Sequence, residues 1–321
     1  MNYFTRLLLT AAKPMLTQVI LLSCAIFAAD AESSEIDALN SYNRGVLSFK
    51  GASYDVAMQE FTCAIAQKEL PSPYKNAANY YLGVSACVKE NYVNAIVPLN
   101  NALGSQVLLE NDRQTAFVFL GTSHFRTGDY AAAIPSFRNA LSIHGLSESD
   151  RNSANYYLGV SYFQTRNYAE AVTILSNVSP SRGLNAINRS EYFLHLGASY
   201  FYNKDYVSAI RTLTDAVKMQ TLPEAAIRKC YGFMGISHFK LGNYAAAICP
   251  LRNALLTQGL IAKDRANATY HLGASYYMTG QYDTAIDVLN DVLADSILSD
   301  QKRSNASVFL AKCYEKSGTL Y

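Results

Sequence analysis

The chain has 321 residues, 50% of them hydrophobic and only 16% charged, with 17 Gly, 8 Pro and a formal net charge of +2. That composition excludes a long disordered tail, and the charge balance gives no reason to expect nucleic acid or an anionic membrane as a partner. With 24 Tyr, 14 Phe and no Trp, most of its aromatic bulk carries a hydroxyl.

At the N-terminus, Arg6 and Lys13 are the only charges before an apolar-leaning run from Met15 to Ala29, which meets Ala29-Asp30-Ala31. A basic start, a short apolar stretch and an A-x-A end predict an export signal cleaved after Ala31. The run is short for a membrane span, so an uncleaved anchor ranks second. Leu21-Leu22-Ser23-Cys24 resembles a bacterial lipobox and would leave Cys24 for lipidation. The apolar Ala25-Ile26-Phe27-Ala28 behind it is a poor tether, which ranks this reading below simple cleavage. Cleavage after Ala31 leaves 25 basic and 24 acidic residues.

From there a strict period takes over. Gly45, Gly83, Gly121, Gly159, Gly197, Gly235 and Gly273 recur every 38 residues, and Ala311 holds the eighth place. Nine residues after each Gly stands a Tyr, from Tyr54 to Tyr282, and three further on an Ala, from Ala57 to Ala285. A fixed period of this length marks a solenoid built from one repeated unit, so the chain reads as one elongated array. A second frame, Leu70, Leu108, Leu146, Leu184, Leu222, Leu260 and Leu298, precedes a helix-start signal each time. Ser147-Glu148-Ser149-Asp150 offers a capping box, Pro71 and Pro223 suit a first helical position, and Gly145, Gly183 and Gly259 suit a C-cap.

In the third unit the spacing predicts a first helix from Leu109 to Thr127, with Phe117, Leu120, Gly121 and His124 on one stripe. Gly128-Asp129 breaks it. A second helix runs from Tyr130 to His144 and buries Ala133, Ile134, Phe137, Ala140 and Leu141. Ala133 is expected opposite Gly121. Pro98, Pro135 and Pro250 each remove one backbone bond from a second helix. The fourth unit, ending in Val178-Ser179-Pro180, has a shorter one. After Ala311 a lone first helix ends near Ser317-Gly318, with Lys312, Glu315 and Lys316 as its capping face.

Motifs of chemistry are missing: no G-x-S-x-G, G-x-G-x-x-G, P-loop or H-E-x-x-H. His124 and His238 share a slot with Tyr162, Tyr200 and Tyr276 and read as half-buried ring positions; His195 and His271 lack partners at ligand spacing. No cofactor and no metal is expected. Cys63 with Cys87, or Cys230 with Cys249, fall on neighbouring helices and are candidate disulfides in an oxidising compartment; buried free thiols are the competing reading. Arg113, Arg151, Arg189, Arg265 and Arg303 recur eight residues before the Gly position and are expected to pair with first-turn acids such as Asp112, Asp150 and Asp264.

These residues resemble the tetratricopeptide repeat. The family's Leu-Gly, aromatic, Gly-x-Tyr, Ala, large apolar, Ala pattern is met by Leu120-Gly121, His124, Gly128-Asp129-Tyr130, Ala133, Phe137 and Ala140. The resemblance covers about residues 38–318. The period exceeds the family's ~34 residues, which predicts a first helix one turn longer. The family's Trp is replaced by Asn79, Phe117, Asn155 or Phe193, and its inter-repeat Pro survives only as Pro71, Pro73 and Pro223. Sel1-like repeats have similar periods, but the second Gly of their motif is missing.

The resemblance implies an all-α fold: a right-handed α-α superhelix (TPR-like solenoid) of about seven helix pairs plus a C-terminal capping helix. The expected division is a signal peptide at 1–31, a short linker at 32–37, the array at 38–318 and a tail at 319–321. It also implies a concave groove on the first helices, lined by residues three before, one after and four or five after each Gly. The first series is Tyr42, Tyr80, Val118, Tyr156, Leu194 and Tyr270; the last includes Phe125, Phe163, Phe201, Phe239 and Tyr277. Regular apolar spacing favours core for the Phe series. The Tyr series is the stronger groove candidate, because a hydroxyl wants water or a ligand atom. Such a groove is aromatic and weakly charged, suited to an apolar peptide. The expected function is a non-enzymatic, exported interaction scaffold, periplasmic or secreted, with a protein or peptide partner, no nucleic acid and no membrane span in the mature chain. The alternative is a self-assembling structural protein or an outer-membrane-associated lipoprotein held through Cys24.

Overall fold

The computed structural model describes residues 31–105, 108–181, 184–219, 221–256, 260–294 and 296–318. Among them every regular element is a helix. The chain forms two compact units, Met1–Arg166 and Asn167–Tyr321. The first holds α1 (Ala31–Lys50), α2 (Tyr54–Ala66), α3 (Ser72–Val88), α4 (Tyr92–Leu103), α5 (Glu110–Arg126), α6 (Tyr130–Ser142) and α7 (Glu148–Gln164). The second holds α8 (Tyr168–Leu175), α9 (Ala186–Tyr202), α10 (Tyr206–Lys218), α11 (Glu224–Lys240), α12 (Tyr244–Leu255), α13 (Ala262–Met278), α14 (Tyr282–Ala294) and α15 (Asp300–Ser317). Within each unit every helix packs on the next in sequence, so the fold class is the all-α, TPR-like solenoid.

The expected signal segment with Cys24, the C-cap candidates Gly183 and Gly259, and the tail at 319–321 lie outside the described residues. Ala31, the expected last residue of the signal, opens α1. Residues 32–37, expected as a linker, are also helical.

The first helices end alike: the residue seven after the Gly position takes a left-handed conformation, and in α1, α3, α5, α9, α11 and α13 the next N–H bonds back to the carbonyl three after the Gly, as in Asp129 N to His124 O at 2.8 Å and Asn243 N to His238 O at 2.9 Å. This is a Schellman closure, which satisfies carbonyls the helix would leave orphaned. Gly128 adopts it without strain, whereas Ala52, Glu90, Arg166 and Lys204 hold side chains there. The following helix is started by a cap such as Asp129, whose Oδ1 accepts from Ala132 N at 3.0 Å. Ser147 and Asp150 form the expected box: Ser147 Oγ accepts from Asp150 N at 3.1 Å and donates to Asp150 Oδ2 at 2.7 Å. The helices α4, α6 and α12 run through Pro98, Pro135 and Pro250, and α8 has only 8 residues.

The repeating Gly is a contact with a large side chain, which corrects the expectation that small Ala133 faces Gly121. A Cβ on Gly121 would stand 2.9 Å from Phe137 Cδ1; on Gly83, 2.5 Å from Leu99 Cγ; on Gly197, 2.6 Å from Leu213 Cγ. For Gly45, Gly83, Gly121, Gly197, Gly235 and Gly273 the facing residue lies sixteen positions later and is fully buried. The Ala of the second helix, Ala133 included, is equally buried beside it. Ala311, which has no second helix after it among the described residues, is exposed, as are Lys312, Glu315 and Lys316 of the expected capping face.

Candidate functional site

The residues expected to line an open groove are mostly core. Tyr80 is 1% exposed and Tyr156 1%, and Tyr42, Val118 and Tyr270 are buried too; Leu194 is half-buried. Their side chains lie against the next first helix. Tyr42 meets the Tyr74 ring edge-on at 5.2 Å, Tyr80 lies beside Asp112, and Tyr270 sits under Lys302 Nζ at 5.5 Å. In each case the partner is the residue nine before the next Gly position. The hydroxyl did not bring Tyr80 to the surface: its oxygen is buried and makes no hydrogen bond.

The Phe series joins consecutive repeats. Phe49 packs on Tyr81, Phe125 on Tyr157, Phe201 on Phe233, Phe239 on His271 and Tyr277 on Phe309, with ring centroids 4.8 to 5.0 Å apart. The same rings also touch the Tyr that opens their own second helix, as Phe125 does Tyr130 at 5.4 Å. Phe163 is half-buried. Where Cys87 replaces the ring, its sulfur lies 3.1 Å from Ser123 Oγ of the next first helix. Sequence reasoning missed the second half of this ladder, the residue two before each Gly: Tyr81, Phe119, Tyr157, His195, Phe233, His271 and Phe309. The 38-residue recurrence was its signal.

His195 and His271 are therefore members of a ring series. Each Nδ1 bonds a backbone carbonyl one turn back, Glu191 O at 2.8 Å and Asn267 O at 2.7 Å. Burial, then nearby lysines, push both imidazoles down to about 4. Burial likewise lowers His124 and His238. Among the described residues no three His, Cys, Asp or Glu come together as metal ligands.

Three of the series arginines cap the preceding repeat, while Arg303 pairs with Asp300 of its own first turn as expected of the series. Arg113 donates to Ser105 O at 3.5 Å, Arg151 to Leu141 O at 3.2 Å and Arg189 to Pro180 O at 2.9 Å, at or just beyond the C-terminal ends of second helices. Cations suit that end of a helix. The expected Arg113–Asp112 pairing is corrected: both Asp112 carboxylate oxygens are buried without a hydrogen bond, and burial raises that carboxyl to about 6. The cysteine expectation changes as well. Cys63, Cys87, Cys230, Cys249 and Cys313 are free. Within each expected pair one thiol is buried and the other exposed, and burial pushes Cys87 and Cys230 up to about 12.

An open site does exist on the first helices, in the second unit; of the residues expected to line a groove it includes Phe201 and Ile236, and its other lining residues were not expected. A cavity of about 520 Å³ is floored by Phe201, Gly232, Phe233, Ile236 and His271, and rimmed by Tyr202, Lys229, Lys240, Ile261, Lys263, Asp264, Asn267 and Lys302. Except for Ile261, which caps α13, all lie on the first helices α9, α11, α13 and α15. Four lysines face one carboxylate, so the expectation of a weakly charged groove does not hold there. Lys302 donates to Asn267 Oδ1, and burial, followed by Lys240 and Lys263, lowers its ammonium below the ordinary range. The volume falls within the roughly 300–1,000 Å³ typical of ligand sites.

Fold and site together define an all-α helix-pair repeat protein with a basic, aromatic-floored cavity on its first helices. Residues 120–176 and 234–300 match the family described as tetratricopeptide repeat. Among solved structures it is similar to the C-terminal part of a TPR repeat-containing protein from Cytophaga hutchinsonii, at 17% identity and a TM-score of 0.53, over 82% of this chain and 98% of that one. It is also similar to a tetratricopeptide repeat protein from Parabacteroides merdae, at 12% identity and a TM-score of 0.43, over 86% and 98%. No curated protein matches it in sequence. Among the described residues no helix is long and apolar enough to cross a membrane.

Proposed function

We propose that the protein is a non-enzymatic scaffold, exported from the cell that makes it, which holds a protein or peptide partner against the first helices of its second unit. The cavity along α9, α11, α13 and α15 carries this reading. It combines apolar floor, open mouth and concentrated charge, the anatomy of a recognition site. The repeat fold supports it, since solenoids present ligands to residues aligned across successive units. Export rests on the basic and apolar leader ending at Ala31.

Site-specific photo-crosslinking tests the scaffold. A photoreactive residue at Lys240, on the cavity rim, is expected to capture one defined partner in the source cells. The same residue at Val207, 66% exposed on the second helix α10, is expected to capture none. Equal capture at both positions, or none at either, overturns the assignment. For export, an intact mass of the secreted or periplasmic protein is expected to begin at Glu32. A mass retaining residues 1–31, or one carrying lipid on Cys24, overturns that cleavage.

A further inference from the structure

The cavity exists because one side chain is missing from a series. Three residues before each repeat Gly the chain places Tyr42, Tyr80, Val118, Tyr156, Leu194, Gly232, Tyr270 and Val308. The bulky members lie across the junction to the next first helix, where Tyr42 and Tyr270 meet the residue nine before its Gly position, Tyr74 and Lys302. At the α11–α13 junction the corresponding residues are Gly232 and Asp264, and both line the cavity. A Cβ built on Gly232 would meet only Ala254 Cβ, at 3.9 Å. Gly235, three residues away on the same helix, is by contrast pressed against Leu251 at 2.5 Å. Close helix packing therefore explains Gly235 and leaves Gly232 unexplained.

We infer that the Gly232 vacancy is an anchor slot for an aromatic side chain of an acidic peptide segment, whose ring replaces the missing tyrosine while its flanking carboxylates meet Lys229, Lys240, Lys263 and Lys302. This rests on the scaffold reading and names the chemistry of its partner. The slot supplies ring contacts from Phe201, Phe233 and His271, the arrangement in which an aromatic guest gains most. A buried aromatic anchor surrounded by a polar rim is also how peptide interfaces concentrate their affinity. Four ammonium groups against one carboxylate select negative neighbours, and the lysines' mutual repulsion is relieved when those arrive. A nucleic-acid strand has charge and rings too. It needs a basic track along its backbone, whereas this basic cluster is local and has Asp264 inside it.

The probe is a fluorescein-labelled heptapeptide with a central Phe flanked by two acidic residues on each side, titrated into the full chain and followed by anisotropy. Saturable binding is expected, weakened at least about tenfold when the peptide Phe becomes Ala, and weakened again by high salt. Gly232→Leu fills the slot and is expected to weaken binding by a similar factor while its unfolding midpoint equals or exceeds that of wild type. Lys240→Gln with Lys302→Gln is expected to weaken the acidic peptide and leave a Gln-flanked Phe peptide unchanged. Absence of binding by the wild type, undiminished binding by a folded Gly232→Leu, or tighter binding of an oligothymidylate of matched charge overturns the proposal. The two readings separate cleanly. If Gly232→Leu still forms the Lys240 cross-link to the cellular partner, the slot falls and the scaffold stands; if peptide binding behaves as expected but no partner is captured, the scaffold reading falls.

Discussion

Gly235→Ala is expected to destabilise the second unit by about 1–2 kcal/mol, and Gly232→Ala to stabilise it by roughly 0.5–1 kcal/mol, although the two glycines lie one turn apart on α11. The new methyl at position 235 would stand 2.5 Å from Leu251 Cγ and 3.0 Å from the Leu251 backbone nitrogen. Leu251 is fully buried and its amide is part of α12, so neither can retreat without moving the helix. Overpacking of this kind costs about 1–3 kcal/mol, and the better helix propensity of Ala returns less than 1 kcal/mol of it. At position 232 the propensity gain stands alone, because the methyl makes only an ordinary van der Waals contact with Ala254 Cβ at 3.9 Å. Urea unfolding followed by far-ultraviolet circular dichroism reads both variants as shifts of the midpoint in opposite directions. Shifts of the same sign would falsify the packing assignment of the repeat glycine.

Acid is the second large lever. The His271 imidazole is held down to about 4 in the folded chain and titrates near 6.5 when unfolded. Between those values the unfolded chain binds more protons, so His271 gives its full stabilisation above pH 6.5 and loses it as the pH falls toward 4. The full loss is roughly 3 kcal/mol, with about 2 kcal/mol gone by pH 5. His195, lowered to the same value, adds in the same direction and window. Lys302 and Lys240 near His271, and Lys229 near His195, oppose a further positive charge. Asp112 in the first unit works the other way: raised to about 6, its contribution is full below the ordinary 3.8 and is lost as the pH rises through 6. His271→Phe, which installs the ring found at Phe233 and Phe309, is expected to flatten the acid limb of a stability-against-pH curve. An unchanged limb would sink the assignment.

The repeat frame, the helix starts and the turn after each Gly were legible in the sequence because each rests on local chemistry: a period, a cap, a left-handed residue. Which residues stay open was legible only in part: the first helices and Phe201 were, the tyrosines were not. Tyr80 and Tyr156 carry hydroxyls and still lie in the core, because ring area outweighs one hydroxyl when the next helix covers the slot. The cavity followed from an absence, Gly232 in a row of larger residues, and an absence stands out only once the row is known to bridge two helices. Arg113 misled for a similar reason, although Arg303 does pair with Asp300 of its first turn. Arg113 and Asp112 are neighbours in sequence, but on a helix adjacent residues point apart, and Arg113 reaches back to Ser105 instead.

The ring pairs between successive first helices also give the chain an optical property. It contains no Trp, so a single indole exchanged for one ladder ring, at Tyr81, Phe233 or Phe309, would be the sole emitter when excited at the red edge, beyond tyrosine absorption. Each of those rings sits at one junction and contacts the repeat before it. The emission of each variant thus becomes a separate thermometer, registering when that one junction parts while the remaining helices stay silent.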